Sequence, residues 1–341
     1  MKAKTLADIA RLAGVSRTTA SYVVNGQAAQ RRISAATVAR VQAVIAEHEF
    51  TVDARAVALR RGETRTLGLI VPDLDNTSYA RLAKQIERGV RAHGYQLVIV
   101  DCDDEPATER ALVSGLRAQK IDGLFVASCL DNEDTLYDDL QAAGTPVIAL
   151  DRPLAEDRFR SVASANHDAA RTLTQSVLNA LGATAGGVGA HTLLWLDAVE
   201  GLSITQRRRA GFLAAMQPGS HAVQVKTGAR YDRATGAALV QDYLSQHAPP
   251  AAIITAAYPL LDGALDVLLG PTADNAQALP QLATFGDHRL LDFLPATVHT
   301  MAQQHERVAA TAVARMLAAL DGHAVPGRDR IERVLRCRPP R

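Results

Sequence analysis

From Thr66 onward the chain alternates short apolar runs with longer amphipathic stretches, and few folds accept that pattern. Strand-like runs fall at 67–71, 96–101, 123–128, 147–151, 192–197, 223–227, 252–256 and 282–287, with a shorter one at 298–301. Helical stretches separate most of them. A strand, a crossover helix and a second strand build a parallel sheet covered on both faces, so the expectation is a doubly wound α/β arrangement. Eight main runs divide naturally into two lobes of similar construction. Ligands of such sheets sit beyond the carboxyl ends of the strands, which places a ligand in the cleft between the lobes.

Aromatic residues are only 4% of the chain, so the cores must be built from Ala, Val, Leu and Ile. No stretch approaches the roughly 18 uninterrupted apolar residues of a spanning helix. Met1-Lys2-Ala3-Lys4 leads into a patterned segment instead of an apolar signal region, and a cytoplasmic protein is expected. Cys102, Cys129 and Cys337 are scattered without a C-x-x-C pair, as reduced structural thiols are. The histidines show no metal-ligand spacing, so neither metal nor cofactor is expected. The segment 182–191 is glycine-rich, but it precedes a strand and lacks G-x-G-x-x-G spacing, so it reads as a surface connection. The tail after residue 322 holds Pro, Gly and many Arg but no heptad run, and no tetramerising coiled coil is expected.

Charge is unevenly placed. Residues 1–65 carry 11 Lys/Arg against 5 Asp/Glu, while the remainder carries 26 against 31. A basic head on a mildly acidic body suits contact with a phosphate backbone. In that head Leu6, Ile9, Ala10 and Ala13 share one helix face, and Thr5 with Asp8 forms a capping box. Gly14-Val15 breaks the pattern, Ser16 can cap a second helix to about Val24, and Asn25-Gly26 ends it. Ser34 can cap a third helix with the stripe Val38, Val41, Val44 and Ile45. Two short helices joined by a glycine turn, then a third, describe a helix-turn-helix. Its second helix presents Arg17 and Thr18 at the N-terminal end that reads bases, Arg as a fork for guanine and Thr for a base edge or thymine methyl.

The run Thr5-Leu-Ala-Asp-Ile-Ala-Arg-Leu-Ala-Gly-Val-Ser-Arg-Thr-Thr-Ala-Ser-Tyr-Val-Val-Asn-Gly26 resembles the DNA-binding headpiece of the LacI/GalR family of regulators, above all its fructose-repressor (catabolite repressor–activator) branch. The resemblance continues through Val71-Pro-Asp-Leu-Asp-Asn-Thr-Ser-Tyr79, Ala149-Leu-Asp-Arg152 and Thr284-Phe-Gly-Asp287. It implies a headpiece at 1–50, a hinge helix and linker at 51–63, and a periplasmic-binding-protein-like effector and dimerisation core at 64–341. Within that core the expected N-lobe is about 64–160 plus 290–320, and the C-lobe about 161–289 plus the tail.

By the same resemblance, DNA contacts fall to Thr5, Ser16, Arg17, Thr18, Thr19, Ser21, Tyr22, Asn25 and Arg32. Ala56 and Leu59 of the hinge join them, Leu59 as a minor-groove wedge. Effector contacts map onto Ser78, Tyr79, Asp151, Arg152, Arg208, Asp287 and Gln303, and Ser128 at the end of the third run is a further cleft candidate. Two departures stand out. Glu49-Phe50-Thr51-Val52-Asp53 replaces the family's Asn-Tyr-x-Pro-Asn, and Ala257 stands where many members place a polar sugar contact.

The implied activity is that of a homodimeric repressor on a pseudo-palindromic operator, released by a phosphorylated sugar, with fructose 1-phosphate foremost. Arg152 and Arg208, with Arg207 beside them, suit a phosphate. Fructose 1,6-bisphosphate or a neutral sugar is the alternative effector. A solute-binding transport protein of the same core is disfavoured by the basic head, and a sugar enzyme by the lack of any nucleophile–base motif.

Overall fold

The structure, a computed structural model, describes residues 5–48, 50, 62–131, 133–184, 191–216, 221–270 and 279–341. The hinge residues Ala56 and Leu59, the departures at 49 and 51–53, and most of the 182–191 connection lie outside the described residues. The chain divides into two compact units, Met1–Arg65 and Thr66–Arg341.

The first unit holds three helices, α1 (Leu6–Leu12), α2 (Arg17–Val24) and α3 (Ala35–Glu47). The capping box forms as its residues demand: Thr5 Oγ1 accepts from the Asp8 amide, and the Asp8 carboxylate accepts from the Thr5 amide at 3.0 Å. Ser16 and Ser34 cap the next two helices, accepting from the Thr19 and Thr37 amides. Gly14 sits between α1 and α2 at φ +62°, a conformation that costs glycine little and a side-chain-bearing residue more. Ile9, Ala13, Val23 and Val41 form the small buried core, one or more from each helix.

The second unit is two doubly wound lobes. Its elements in chain order are β1 (Thr66–Val71), α4 (Thr77–Ala92), β2 (Gln96–Asp101), α5 (Pro106–Ala118), β3 (Gly123–Val126), α6 (Leu136–Ala142), β4 (Val147–Leu150) and β5 (Arg160–Ser164). Then follow α7 (Asn166–Thr184), β6 (Thr192–Ala198), α8 (Ser203–Ala214), β7 (Ala222–Gly228), α9 (Arg233–Gln246), β8 (Ala252–Thr255), α10 (Tyr258–Leu268) and β9 (Gln281–Phe285). A 3-10 turn at Arg289–Phe293, β10 (Val298–Ala302), α11 (His305–Leu320), β11 (Gly327–Ile331) and β12 (Val334–Arg338) complete it.

One sheet runs β11-β5-β4-β3-β1-β2 and the other β12-β10-β9-β8-β6-β7. All pairings are parallel except β12, which runs antiparallel to β10 with Thr300 opposite Arg336. Central strands such as β1 and β6 are buried almost throughout, as helices on both faces require. Each sheet has an apolar cluster on either face; Phe125 and Ile86 serve one lobe, Trp195 and Phe212 the other.

Three features depart from the sequence expectation. The segment 160–164 is a strand of the first sheet, and 298–302 is a strand of the second, so the expected lobe division is shifted at both places. The arginine-rich tail, expected whole in the C-lobe, supplies a strand to each sheet: Gly-Arg-Asp-Arg-Ile on the edge of the first and Val-Leu-Arg-Cys-Arg on the edge of the second. Edge strands tolerate charge because one side of their ladder faces water, so these two lack the apolar run that marks a central strand. The chain therefore passes between lobes at 165, at 303–304 and at 332–333.

Candidate effector-binding cleft

The carboxyl ends of the central strands of both sheets open onto a cavity between the lobes. Seven of the eight expected residues line it: Ser78 and Tyr79 on α4, Asp151 and Arg152 after β4, Arg208 on α8, Asp287 after β9 and Gln303 after β10. Ser128 does not. It is buried inside the first lobe and donates to the Glu109 carboxylate, which also accepts from the Tyr137 hydroxyl and, at 2.7 Å, from the Cys129 amide. A serine hydroxyl at a strand end goes to whichever acceptor is nearest, and here the fully buried Glu109 of α5 claims it. The same group shows that Cys102 and Cys129 are not scattered in space: their sulfurs and the Glu109 carboxylate lie within 4.8 Å of one another.

Gln303 is the polar centre of the cavity floor. Its amide donates to Asp151 Oδ1 at 3.2 Å and Ser164 Oγ at 3.3 Å, and its carbonyl accepts from Ser78 Oγ at 2.8 Å. Asp151 is held at φ +57°, a left-handed conformation that Asp tolerates better than most residues, and this turns its carboxylate toward the cavity and toward the Tyr79 hydroxyl at 3.4 Å. Burial pushes the Tyr79 phenol far up, so it stays a neutral donor.

The arginines decide what the cavity favours. Arg152 is already matched, its guanidinium forked onto the Asp104 carboxylate. Burial works against its charge, but the nearby Tyr79 and Asp104 outweigh that and push its pKa up. Arg208 is different. It is 6% exposed, donates to Asn166 Oδ1 at 2.9 Å and to the Ala256 carbonyl at 2.7 Å, and has no carboxylate partner among the described residues. Gly211, one turn along α8, makes that position reachable: a Cβ there would meet the His167 carbonyl at 2.1 Å, so only glycine lets α8 close on α7.

Arg333, which no sequence pattern singles out, comes from the 332–333 crossing and faces Arg208. The two guanidinium carbons lie 5.2 and 4.4 Å from the centre of the Phe285 ring. Arg333 reaches the Met301 carbonyl at 3.3 Å and Asp151 only at 3.7 Å, and its Nε is buried with no hydrogen-bond partner. Burial lowers the pKa of both groups, that of Arg333 to about 9, where Arg208 adds repulsion. Two dry guanidiniums facing one carboxylate make a site that lacks negative charge.

The remaining expected residues differ in detail. Asp287 reaches the cavity, but its carboxylate is held by Arg336 at 2.5 Å, Arg338 at 2.7 Å and Thr300 at 3.2 Å, and its backbone carbonyl by Arg81 at 2.8 Å. It ties β12 to the cleft more than it offers a free acceptor. Arg207 points away from the cavity and is exposed. Tyr231, Tyr258 and His305 line the wall unannounced by sequence, since nothing in a helix or loop position marks a side chain that converges only in space. Ala257 lies at the wall and adds no polar group; the neighbouring Tyr258 does.

His305 accepts or donates at 3.0 Å with Ser78 Oγ. Burial, with Arg333 and Arg81 nearby, lowers its pKa from 6.5 to about 4. As pH falls the unfolded chain therefore takes up that proton first, and the folded protein loses stability between about 6.5 and about 4. A His305→Gln variant is expected to show a smaller loss than the parent when denaturant unfolding is compared at neutral and mildly acidic pH. Equal losses in the two proteins would refute the assignment.

In the first unit, Arg17 and Thr18 are exposed at the start of α2. Ser16 and Thr19 are engaged in capping, and Asn25 donates to the Ser21 carbonyl at 2.7 Å. Tyr22 carries the Arg31 guanidinium at 4.9 Å, and Arg32 is exposed at φ +53°. The α2 face is thus polar, with a preorganised backbone and, at its tip, two exposed side chains without a hydrogen-bond partner among the described residues.

A helix-turn-helix unit in one chain with a two-lobed, parallel-sheet binding core is the make-up of a DNA-binding transcriptional regulator. The profile of bacterial regulatory proteins of the lacI family matches residues 5–53, and that of periplasmic binding proteins and the sugar binding domain of the LacI family matches residues 64–279. The chain belongs to the LacI family, and it is a transcriptional regulator and not an enzyme. It is 42% identical to the fructose operon regulatory protein of Vibrio cholerae, over 98% of this chain and 99% of that protein. It is 40% identical to the catabolite repressor/activator of Escherichia coli K12, over 97% of each. Among solved structures, the Cra transcriptional dual regulator of Pseudomonas putida in complex with fructose 1-phosphate is 43% identical, with a TM-score of 0.75 over 80% of this chain and 98% of that one. The lac repressor dimer bound to operator, 20% identical, shares the fold with a TM-score of 0.81 over 98% of both chains.

Proposed function

We propose that this regulator binds a pseudo-palindromic operator as a homodimer in the cytoplasm, represses genes of sugar metabolism, and lets go when fructose 1-phosphate enters the cleft. The observation that carries the effector reading is the Arg208–Arg333 pair: two buried guanidiniums short of negative charge suit a phosphoryl group, whose oxygens accept paired, charge-assisted hydrogen bonds. Asp151 and Gln303 then serve sugar hydroxyls. The similarity to fructose operon regulators, and to a relative whose structure holds fructose 1-phosphate, supports the same choice. Ligand bridging the lobes favours one inter-lobe angle, and coupling to DNA is reciprocal: operator must weaken effector binding by the factor that effector weakens operator binding.

A gel shift with promoter fragments tests this. Fructose 1-phosphate should dissolve the specific complex and fructose should not; a complex indifferent to both sugars would remove the effector assignment. On the DNA side, Arg17→Ala or Thr18→Ala should cost about 1–3 kcal/mol on the specific site and much less on random DNA. Equal losses on both DNAs would show that α2 does not read bases.

A further inference from the structure

A second polar cavity adjoins the effector cleft, and its chemistry differs. Ile204 lines both, and Ser164 of the second cavity accepts the Gln303 hydrogen bond from the first. Three arginines meet there: Arg328 and Arg330, two apart on β11 and so on one side of that edge strand, and Arg207 from α8 of the other lobe. Arg328 is the fixed member. Its side chain is 8% exposed, it pairs with Glu156 at 2.6 Å, and its Nε is buried with no hydrogen-bond partner. Arg207 and Arg330 have no acidic partner among the described residues. Among the described residues, the one carboxylate on the cavity wall is Asp168, which is largely exposed and lies 3.1 Å from the His167 ring.

Two helices also begin at this cavity. Asn166 starts α7 and Ser203 starts α8, so their first-turn amides carry the positive end of each helix dipole to the same place. At α8 the N-cap residue Leu202 supplies no side-chain acceptor for them.

We propose that this cavity is a second oxyanion site, which takes a phosphate-sized dianion and bridges the lobes. Arg207 with the α7 and α8 amides holds it from one lobe, and Arg328 with Arg330 from the other. The loop that carries Pro153 at its wall also carries Asp151 and Arg152 of the effector cleft immediately before it. Occupancy therefore bears on the loop that holds the sugar. The dianion is either free phosphate or a second phosphoryl group on a ligand seated in the neighbouring cleft.

Calorimetry on the full chain separates the possibilities. Inorganic phosphate is titrated into the parent and into the double variant Arg207→Gln with Arg330→Gln, each alone and saturated with fructose 1-phosphate. Both substituted residues are exposed, so the fold should persist, and the affinity for fructose 1-phosphate in phosphate-free buffer should be unchanged. The parent should bind phosphate in both conditions, and the variant should bind it about tenfold or more weakly, the loss of about one charge-assisted contact. Fructose 1,6-bisphosphate is the second probe. If it blocks phosphate uptake where fructose 1-phosphate does not, the site holds the second phosphoryl group of a bound ligand; if it does not block, the site holds free phosphate. Displacement of phosphate by fructose 1-phosphate with no effect of the double variant would place the anion in the sugar cleft and overturn the proposal, as would absence of phosphate binding. Failure of the parent to bind fructose 1-phosphate would instead count against the effector assignment and leave the phosphate titration to stand alone.

Discussion

Arg208→Ala is expected to weaken fructose 1-phosphate binding by roughly 100-fold, about 3 kcal/mol, while leaving the weak affinity for fructose almost untouched. The size of the effect follows from burial. Arg208 is sealed between Asn166, the Ala256 carbonyl and the Phe285 ring, with water excluded and no carboxylate to neutralise it. A phosphoryl group arriving there replaces no ion pair, so most of its attraction appears as affinity. An exposed arginine would gain a fraction of that, because solvent screens it. Calorimetry with both sugars on parent and variant reads the result. Equal affinity of the parent for the two sugars, or an unaffected variant, would end the assignment.

Glu109→Ala is expected to lower the stability of the core unit by about 3–4 kcal/mol without removing effector binding. Glu109 is fully buried at the start of α5, and its carboxylate is the common acceptor for Ser128, Tyr137 and the Cys129 amide. Alanine leaves these donors in a dry interior without a partner and opens a cavity beside them. Urea unfolding followed by far-ultraviolet circular dichroism should show an earlier midpoint, with fructose 1-phosphate still bound before the transition. A loss below about 1 kcal/mol would mean that the donors find other acceptors.

The sequence made some of this plain and hid the rest for identifiable reasons. The capping box at Thr5 and Asp8 and the caps at Ser16 and Ser34 were legible because they depend on contacts within four residues. Central strands were legible because burial on both faces demands unbroken apolar runs. Edge strands β11 and β12 were not, since half-solvated ladders accept Arg328 and Arg336. In the cleft, residues at strand ends were found by position alone. Arg333 and His305 escaped because their place depends on the crossings between lobes, which no local pattern encodes. Ser128 was misread for the opposite reason. It stands at a strand end, but the partner that claims it is 19 positions away on a helix.

The placement of β11 and β12 also orders events during synthesis. The helix-turn-helix unit needs only its own first residues, so it can fold as soon as they leave the ribosome. Neither lobe can finish then. β11 pairs with β5, beginning with Gly327 on Arg160, and β12 closes on β10, so each sheet waits for a strand translated well after its partner. Arg333, between those strands, arrives with them. A nascent chain thus acquires a DNA-reading head long before it has a working sensor. Products that stop short of the final strands would carry the head without a complete effector cleft.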